Sequence, residues 1–175
     1  LDTTWRAGNV PTEMRSIEDL EKIATELRVS SLEMITAAGS GHPGGSLSAA
    51  EIVSALYFGV MRYRVSEPRW PGRDRFVLSK GHGCPVVYAA LARAGCIEKS
   101  LLPTLRRLGS PLQGHPDHVR LPYIEAATGS LGQGLSVAAG IARHPRIGSA
   151  QVEKTLWSRS VTIRIAEKPP VASVR

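Results

Sequence analysis

An α/β layer fold, rich in helix, is predicted for this 175-residue chain by three features of its sequence. Apolar residues recur at helical spacing in several capped stretches between residues 16 and 142. Phe76-Val77-Leu78 is a short apolar run of the kind that forms a buried strand. That run passes through the glycine turn Ser79-Lys80-Gly81-His82-Gly83 into a further helix, and helices around a buried strand favour layers of helix on sheet.

The elements follow in order. Residues 1–15, punctuated by Gly and Pro, read as a loose arm before the patterned region of residues 16–142. Ser16, with Asp19 three residues on, caps a helix in which Leu20, Ile23, Ala24, Leu27, Met34 and Ile35 recur until Gly39 stops it. Four glycines in the seven residues GSGHPGG, 39–45, make a loop. Ser48 with Glu51 reads as a second capping box, opening a helix through Ile52, Leu56 and Tyr57 to Gly59. After the strand at 76–78 comes a helix from Pro85 to Ala94, closed by Gly95. Leu101, Leu102, Leu105 and Leu108 predict a short helix ending at Gly109. A polar connection from Ser110 to Tyr123 leads on to GSLGQG, 129–134, and a small-residue helix through Ala138, Ala139 and Ile141.

With 42% hydrophobic, 21% charged and 5% aromatic residues, the chain has the composition of a globular protein rather than a disordered or fibrous one. It has no apolar run approaching the roughly 20 residues of a membrane span and no secretory leader pattern, so it reads as cytosolic. Cys84 and Cys96 suit neither a disulfide framework nor a zinc site and read as reduced thiols. The net charge of +7 is concentrated late in the chain. Residues 1–142 hold 15 Lys+Arg and 13 Asp+Glu, whereas residues 143–175 hold seven and two. A folded nucleic-acid binder clusters its cations on one element beside stacking aromatics. Arg143, Arg146, Lys154, Arg159 and Arg164 follow no such stripe, so no nucleic-acid partner is expected.

Three of the five histidines follow a glycine, in Gly41-His42, Gly81-His82 and Gly114-His115. Glycine lets backbone approach a ligand closely, and an imidazole can donate to a phosphate or hydroxyl oxygen or take a proton near neutral pH. Taken singly, each is also a plausible turn histidine bonded to backbone; as a set in glycine loops they are expected to converge on one small-molecule cleft. Their neighbours lack the paired spacing of zinc ligands, and no residue is assigned to a metal. GSLGQG resembles a nucleotide fingerprint only loosely. It serves equally as a ligand-binding turn at a helix start or as close packing of a helix on its neighbour.

The stretches AAGSGHPGGSLSAAEIVSALYFGVM (37–61), DRFVLSKGHGCPVVYAAL (74–91), LGSPLQGHPD (108–117) and ATGSLGQGLSVAAGIA (127–142) together resemble the N-terminal, cofactor-binding region of transketolases. The similarity is greatest to the split form, in which that region is a separate subunit. The resemblance implies part of the thiamin diphosphate (thiamine pyrophosphate) binding fold, a doubly wound parallel sheet with flanking helices. It also implies an enzyme that moves a two-carbon ketol unit between sugar phosphates in carbohydrate metabolism. His82 would then approach the cofactor diphosphate, while Gly129, Ser130 and Leu131 would contact the thiamine. His42 and His115 would face the substrate channel as catalytic residues. Lys80 fits an ordinary solvated turn lysine at least as well. A C-terminal transketolase subunit and a homo-oligomer are the partners the resemblance implies.

In transketolases a Gly-Asp-Gly and a later Asn hold magnesium or calcium against the diphosphate. Here the last Asp is Asp117 and the sole Asn is Asn9. From Arg143 the sequence becomes rich in Arg and Ser, and residues 143–175 read as a divergent basic tail after a truncation ahead of the metal motif. Cofactor binding is therefore expected to be weak or lost, and the isolated chain is expected not to turn over. A nonenzymatic remnant or interaction module is the competing class.

Overall fold

The structure, a computed structural model, describes residues 15–143, 147–154 and 161–167; of the arm read at residues 1–15, all but Arg15 lies outside the described residues. Helix α1 (Ile17–Ala38) begins where Ser16 Oγ accepts the Asp19 amide at 3.1 Å. It ends at Gly39, whose φ of 65° brings its N–H to the Thr36 carbonyl. Ile23, Ala24, Leu27 and Met34 form its buried stripe. Ser31 in the same stripe is satisfied by donating to the Leu27 carbonyl at 2.7 Å.

The glycine-rich stretch is not loop throughout. Pro43 sits at the first turn of a short helix, α2 (Pro43–Leu47), with His42 as its N-terminal cap residue. The expected Ser48–Glu51 capping box does not form. The Ser48 amide closes α2 onto Gly44, and α3 (Ala50–Ala55) starts instead from Ala49. Glu51 is drawn to Arg28 of α1, whose guanidinium holds its carboxyl below the usual range. Beyond α3 the chain makes one wide turn over Leu56–Val60, with the Met61 amide on the Leu56 carbonyl at 2.7 Å.

Strand β1 (Arg75–Val77) lies one residue earlier than the apolar run. A tight 3-10 turn over Gly81–Gly83 leads into α4 (Cys84–Arg93), buried along its whole length from Cys84 to Leu91. The helix expected across Leu101–Leu108 is shorter, a 3-10 stretch over Lys99–Thr104. Pro103 lies inside it, supplying no backbone N–H, and Leu108 is fully exposed beyond its end. Helix α5 (Gln133–Ala142) follows the GSLGQG segment.

The described sheet has three strands. β2 (Ile147–Lys154) and β3 (Val161–Glu167) pair antiparallel, and β3 also pairs antiparallel with β1, giving the order β1-β3-β2. The doubly wound parallel sheet expected from the resemblance is therefore not what the described residues form. Residues 155–160 are too short a link for a parallel crossover, which needs about a dozen residues or more.

Side chains of a strand alternate between its faces, and here the alternation serves two helical layers. Phe76 and Leu78 enter the main core with α1, α3, α4 and the buried leucines of residues 102–121. Val77 points the other way, against Ala138 of α5. Gly134 of α5 sits where an added Cβ would lie 2.6 Å from Ser79 Cα, so the absence of a side chain sets how closely α5 approaches the end of β1. Among the described residues no helix is long and apolar enough to cross a membrane.

The connection after Pro111 is pinned to β1 by charge. Glu125 receives Arg73 through two parallel bonds, Nε to Oε1 at 2.8 Å and a terminal nitrogen to Oε2 at 3.0 Å, and Arg75 reaches Oε2 at 2.9 Å. The side chains are 7%, 15% and 9% exposed for Arg73, Arg75 and Glu125, so the cluster is screened little by solvent.

Candidate functional site

Three glycine-histidine segments and the start of the GSLGQG turn meet at the end of β1. The Gly81–Gly83 turn places His82 beside α2. A Cβ on Gly45 would stand 3.1 Å from the His82 ring, and one on Gly83 would stand 3.2 Å from the Gly45 carbonyl oxygen. Ser46 reinforces the approach by donating to the Gly83 carbonyl at 3.4 Å, and Lys80 Nζ donates to Ser48 Oγ at 2.9 Å. The outcome is ring contact between His42 and His82, with centroids 5.2 Å apart at 79°.

The turn is also fixed from its other side. Gly81 backs onto Thr128 so closely that a Cβ would lie 2.3 Å from the Thr128 carbonyl oxygen, while the Thr128 hydroxyl donates to the Leu78 carbonyl at 2.6 Å. Gly129, the next residue, faces His115: a Cβ there would be 3.8 Å from its Cδ2. His115 is exposed, and its backbone is held by α4. The Tyr88 hydroxyl bonds the Gln113 carbonyl at 2.9 Å and the His115 carbonyl at 3.2 Å.

His82 is partly buried, and its imidazole is pushed below its ordinary pKa. Desolvation contributes most, followed by electrostatic repulsion from the side of His42, Lys80 and His115, so all three neighbours act on one ring. The neutral ring is the form expected at pH 7. Its folded value lies below the unfolded one, so its contribution to stability is full above about pH 6.5 and is lost as pH falls through the lowered midpoint. An NMR titration of the full chain should find the His82 midpoint below about 6.5, rising part of the way back in His42→Ala. A midpoint at or above the ordinary value would contradict this electrostatic picture.

Of the residues the resemblance assigns to thiamine contact, Gly129 is partly buried beside His115, Ser130 is exposed, and Leu131 is 60% exposed. The Ser130 carbonyl accepts the Gln133 amide, and Gly132, with φ 89°, begins α5 with no side-chain cap. Helix N-termini of this kind offer amides to anions. These features and the imidazoles of His42 and His82 fit an anionic diphosphate. A divalent ion fits less well: among the described residues no group of three or more His, Cys, Asp and Glu is placed to hold one. Tyr88, Thr128 and Glu125 were not singled out from sequence. Their partners lie 25 or more positions away, and the only local cue is Tyr88 four residues after Cys84, on one face of α4.

Residues 20–160 match the family described as transketolase, thiamine diphosphate binding domain. Human transketolase is 48% identical over 130 residues, 74% of this chain and 21% of that protein. A 6-deoxy-6-sulfo-D-fructose transketolase subunit from Clostridium sp. (strain MSTE9) is 51% identical over 124 residues, 71% of this chain and 45% of that subunit. Among solved structures, transketolase from Leishmania mexicana superposes with a TM-score of 0.68 at 40% identity, over 74% of this chain and 19% of that one. The chain thus spans about a fifth of the human and Leishmania proteins and under half of the bacterial subunit.

Proposed function

Because the chain belongs to the transketolase family through its thiamine diphosphate binding domain, we propose that it is the cofactor-binding part of a transferase that moves two-carbon ketol units between sugar phosphates. The observation that carries this reading is the convergence of His42 and His82, in ring contact, on the glycine cradle of Gly45 and Gly83. Bound thiamine diphosphate would supply the carbanion-stabilising chemistry of such a transfer. The chain's own residues bind and orient. His82 donates to the diphosphate, and Gly129, Ser130 and Leu131 offer backbone and apolar surface to the thiamine. His42 and His115 hold sugar hydroxyls and move protons at their ring nitrogens.

Turnover is assigned to a two-chain assembly and not to these 175 residues alone. The bacterial relative is a subunit by its own name, and Leu131 and Leu135 present exposed apolar surface where α5 begins, suited to a C-terminal partner chain or a second copy. Both cysteines are buried and reduced, which fits a cytoplasmic setting.

Calorimetry with thiamine diphosphate tests the reading. Weak, saturable binding is expected, because a few charge-assisted bonds of ~1.5–3 kcal/mol each must offset the ordering of ligand and loops. Magnesium should tighten it by less than about tenfold, or ~1.4 kcal/mol, since no Asp or Asn follows Asp117 in this sequence. Absence of any binding would leave the nonenzymatic interaction module as the better reading, and a tightening by magnesium of about tenfold or more would overturn the expected loss of the metal ligands.

A further inference from the structure

Arg106 is the one non-glycine residue with positive φ among the described residues, at 62°. Side chains rarely adopt that conformation, so something must compensate for it. Its amide bonds the Leu112 carbonyl at 2.9 Å, closing the turn ahead of the His115 segment. Its guanidinium lies against Gly114, where a Cβ would be 2.8 Å from Nε and 3.1 Å from a terminal nitrogen. The other terminal nitrogen donates to Ser40 Oγ at 3.2 Å. Ser40 is two residues before His42, and Gly114 is one residue before His115. Among the described residues Arg106 makes no ion pair with a carboxylate, so charge pairing does not explain where it sits.

The geometry points to Arg106 as a positioning residue, a strap from Ser40 to Gly114 that fixes the loop of His42 against the loop of His115. The planar fork suits this role. Its flat face needs a glycine beneath it, and its edge still carries donors for a hydroxyl. The inference rests on reading His42 and His115 as the substrate-facing pair, and it names what sets the distance between them.

NMR of the full chain, without cofactor, tests it. Arg106→Gln keeps the strained backbone and removes the fork. The imidazole signals of both His42 and His115 should shift and broaden, with the Arg106 contacts to Ser40 and Gly114 lost and the melting temperature nearly unchanged. Arg106→Gly should raise the melting temperature, because glycine adopts this φ freely, yet show the same disturbance at both histidines. Ser40→Ala should be felt at His115. Arg106→Lys, a point charge without a plane, should not restore the signals, and Arg107→Gln should disturb neither. Effects confined to His115, or none in Arg106→Gln and Arg106→Gly, would overturn the strap. Because no thiamine diphosphate is added, a failure here is separate from a failure of the calorimetry.

Discussion

Glu125→Ala is expected to lower the stability of the chain by about 3–5 kcal/mol, the range for removing one partner of a buried ion pair. The loss comes less from the missing attraction than from what stays behind. Arg73, 7% exposed, loses the carboxylate that replaces its hydration, and Arg75, 15% exposed, loses one of its partners. Arg73 keeps a bond to the Trp70 carbonyl at 2.9 Å, which satisfies one donor and neutralises no charge. Against a typical total of about 5–15 kcal/mol, such a loss shifts the urea midpoint markedly. Glu125→Gln, which retains shape and an acceptor, should fall between. Glu125 also tethers the segment leading to Thr128 and Gly129, so residual folded protein should show a loosened GSLGQG turn. A loss below about 1 kcal/mol would place this cluster with ordinary surface pairs.

His82→Ala should weaken thiamine diphosphate binding by about tenfold to a hundredfold, corresponding to one charge-assisted hydrogen bond of ~1.5–3 kcal/mol. In the proposed site the ring would meet the diphosphate from a position fixed on both sides, by Gly45 and by its own glycines, so little freedom would be lost when the bond forms. Calorimetry on the variant reads the change, with His118→Ala as the comparison because His118 is exposed and outside the cluster. Equal affinities for the His82 variant and the unaltered chain would remove His82 from the cofactor contacts.

The parts of the fold that local chemistry determines were legible in the sequence. Ser16 with Asp19, and Gly39, bound α1 because caps act over three or four residues. Gly95, with φ 76°, follows α4 in the same way. Where residues had distant alternatives, sequence reading went astray. Glu51 had Ser48 nearby but Arg28 across the helix pair, and the ion pair prevailed. Pro43 signalled a helix start that the surrounding glycines concealed. The sheet was least legible, since the partner of β1 lies about 85 residues further along and short strands carry no mark of direction. Glycine beside histidine marks all three segments that come together in the candidate site. What holds them in place, Tyr88, Thr128 and Arg106, emerges only from folded proximity.

Glycine codons begin GG, so every base change at their first two positions that yields another amino acid supplies at least a Cβ. At Gly45, Gly81, Gly83 and Gly134 that atom would meet His82, the Thr128 carbonyl, the Gly45 carbonyl and Ser79 respectively, whereas at Gly44 it would meet nothing within 4 Å. A library of random point mutants screened for folded protein should therefore lose variants at Gly81 and Gly134, where the Cβ would lie 2.3 and 2.6 Å from backbone atoms, and keep them at Gly44, with Gly45 and Gly83 in between. Much of the sequence constraint around this site would then record how closely its walls approach, with the chemistry they enclose added on top.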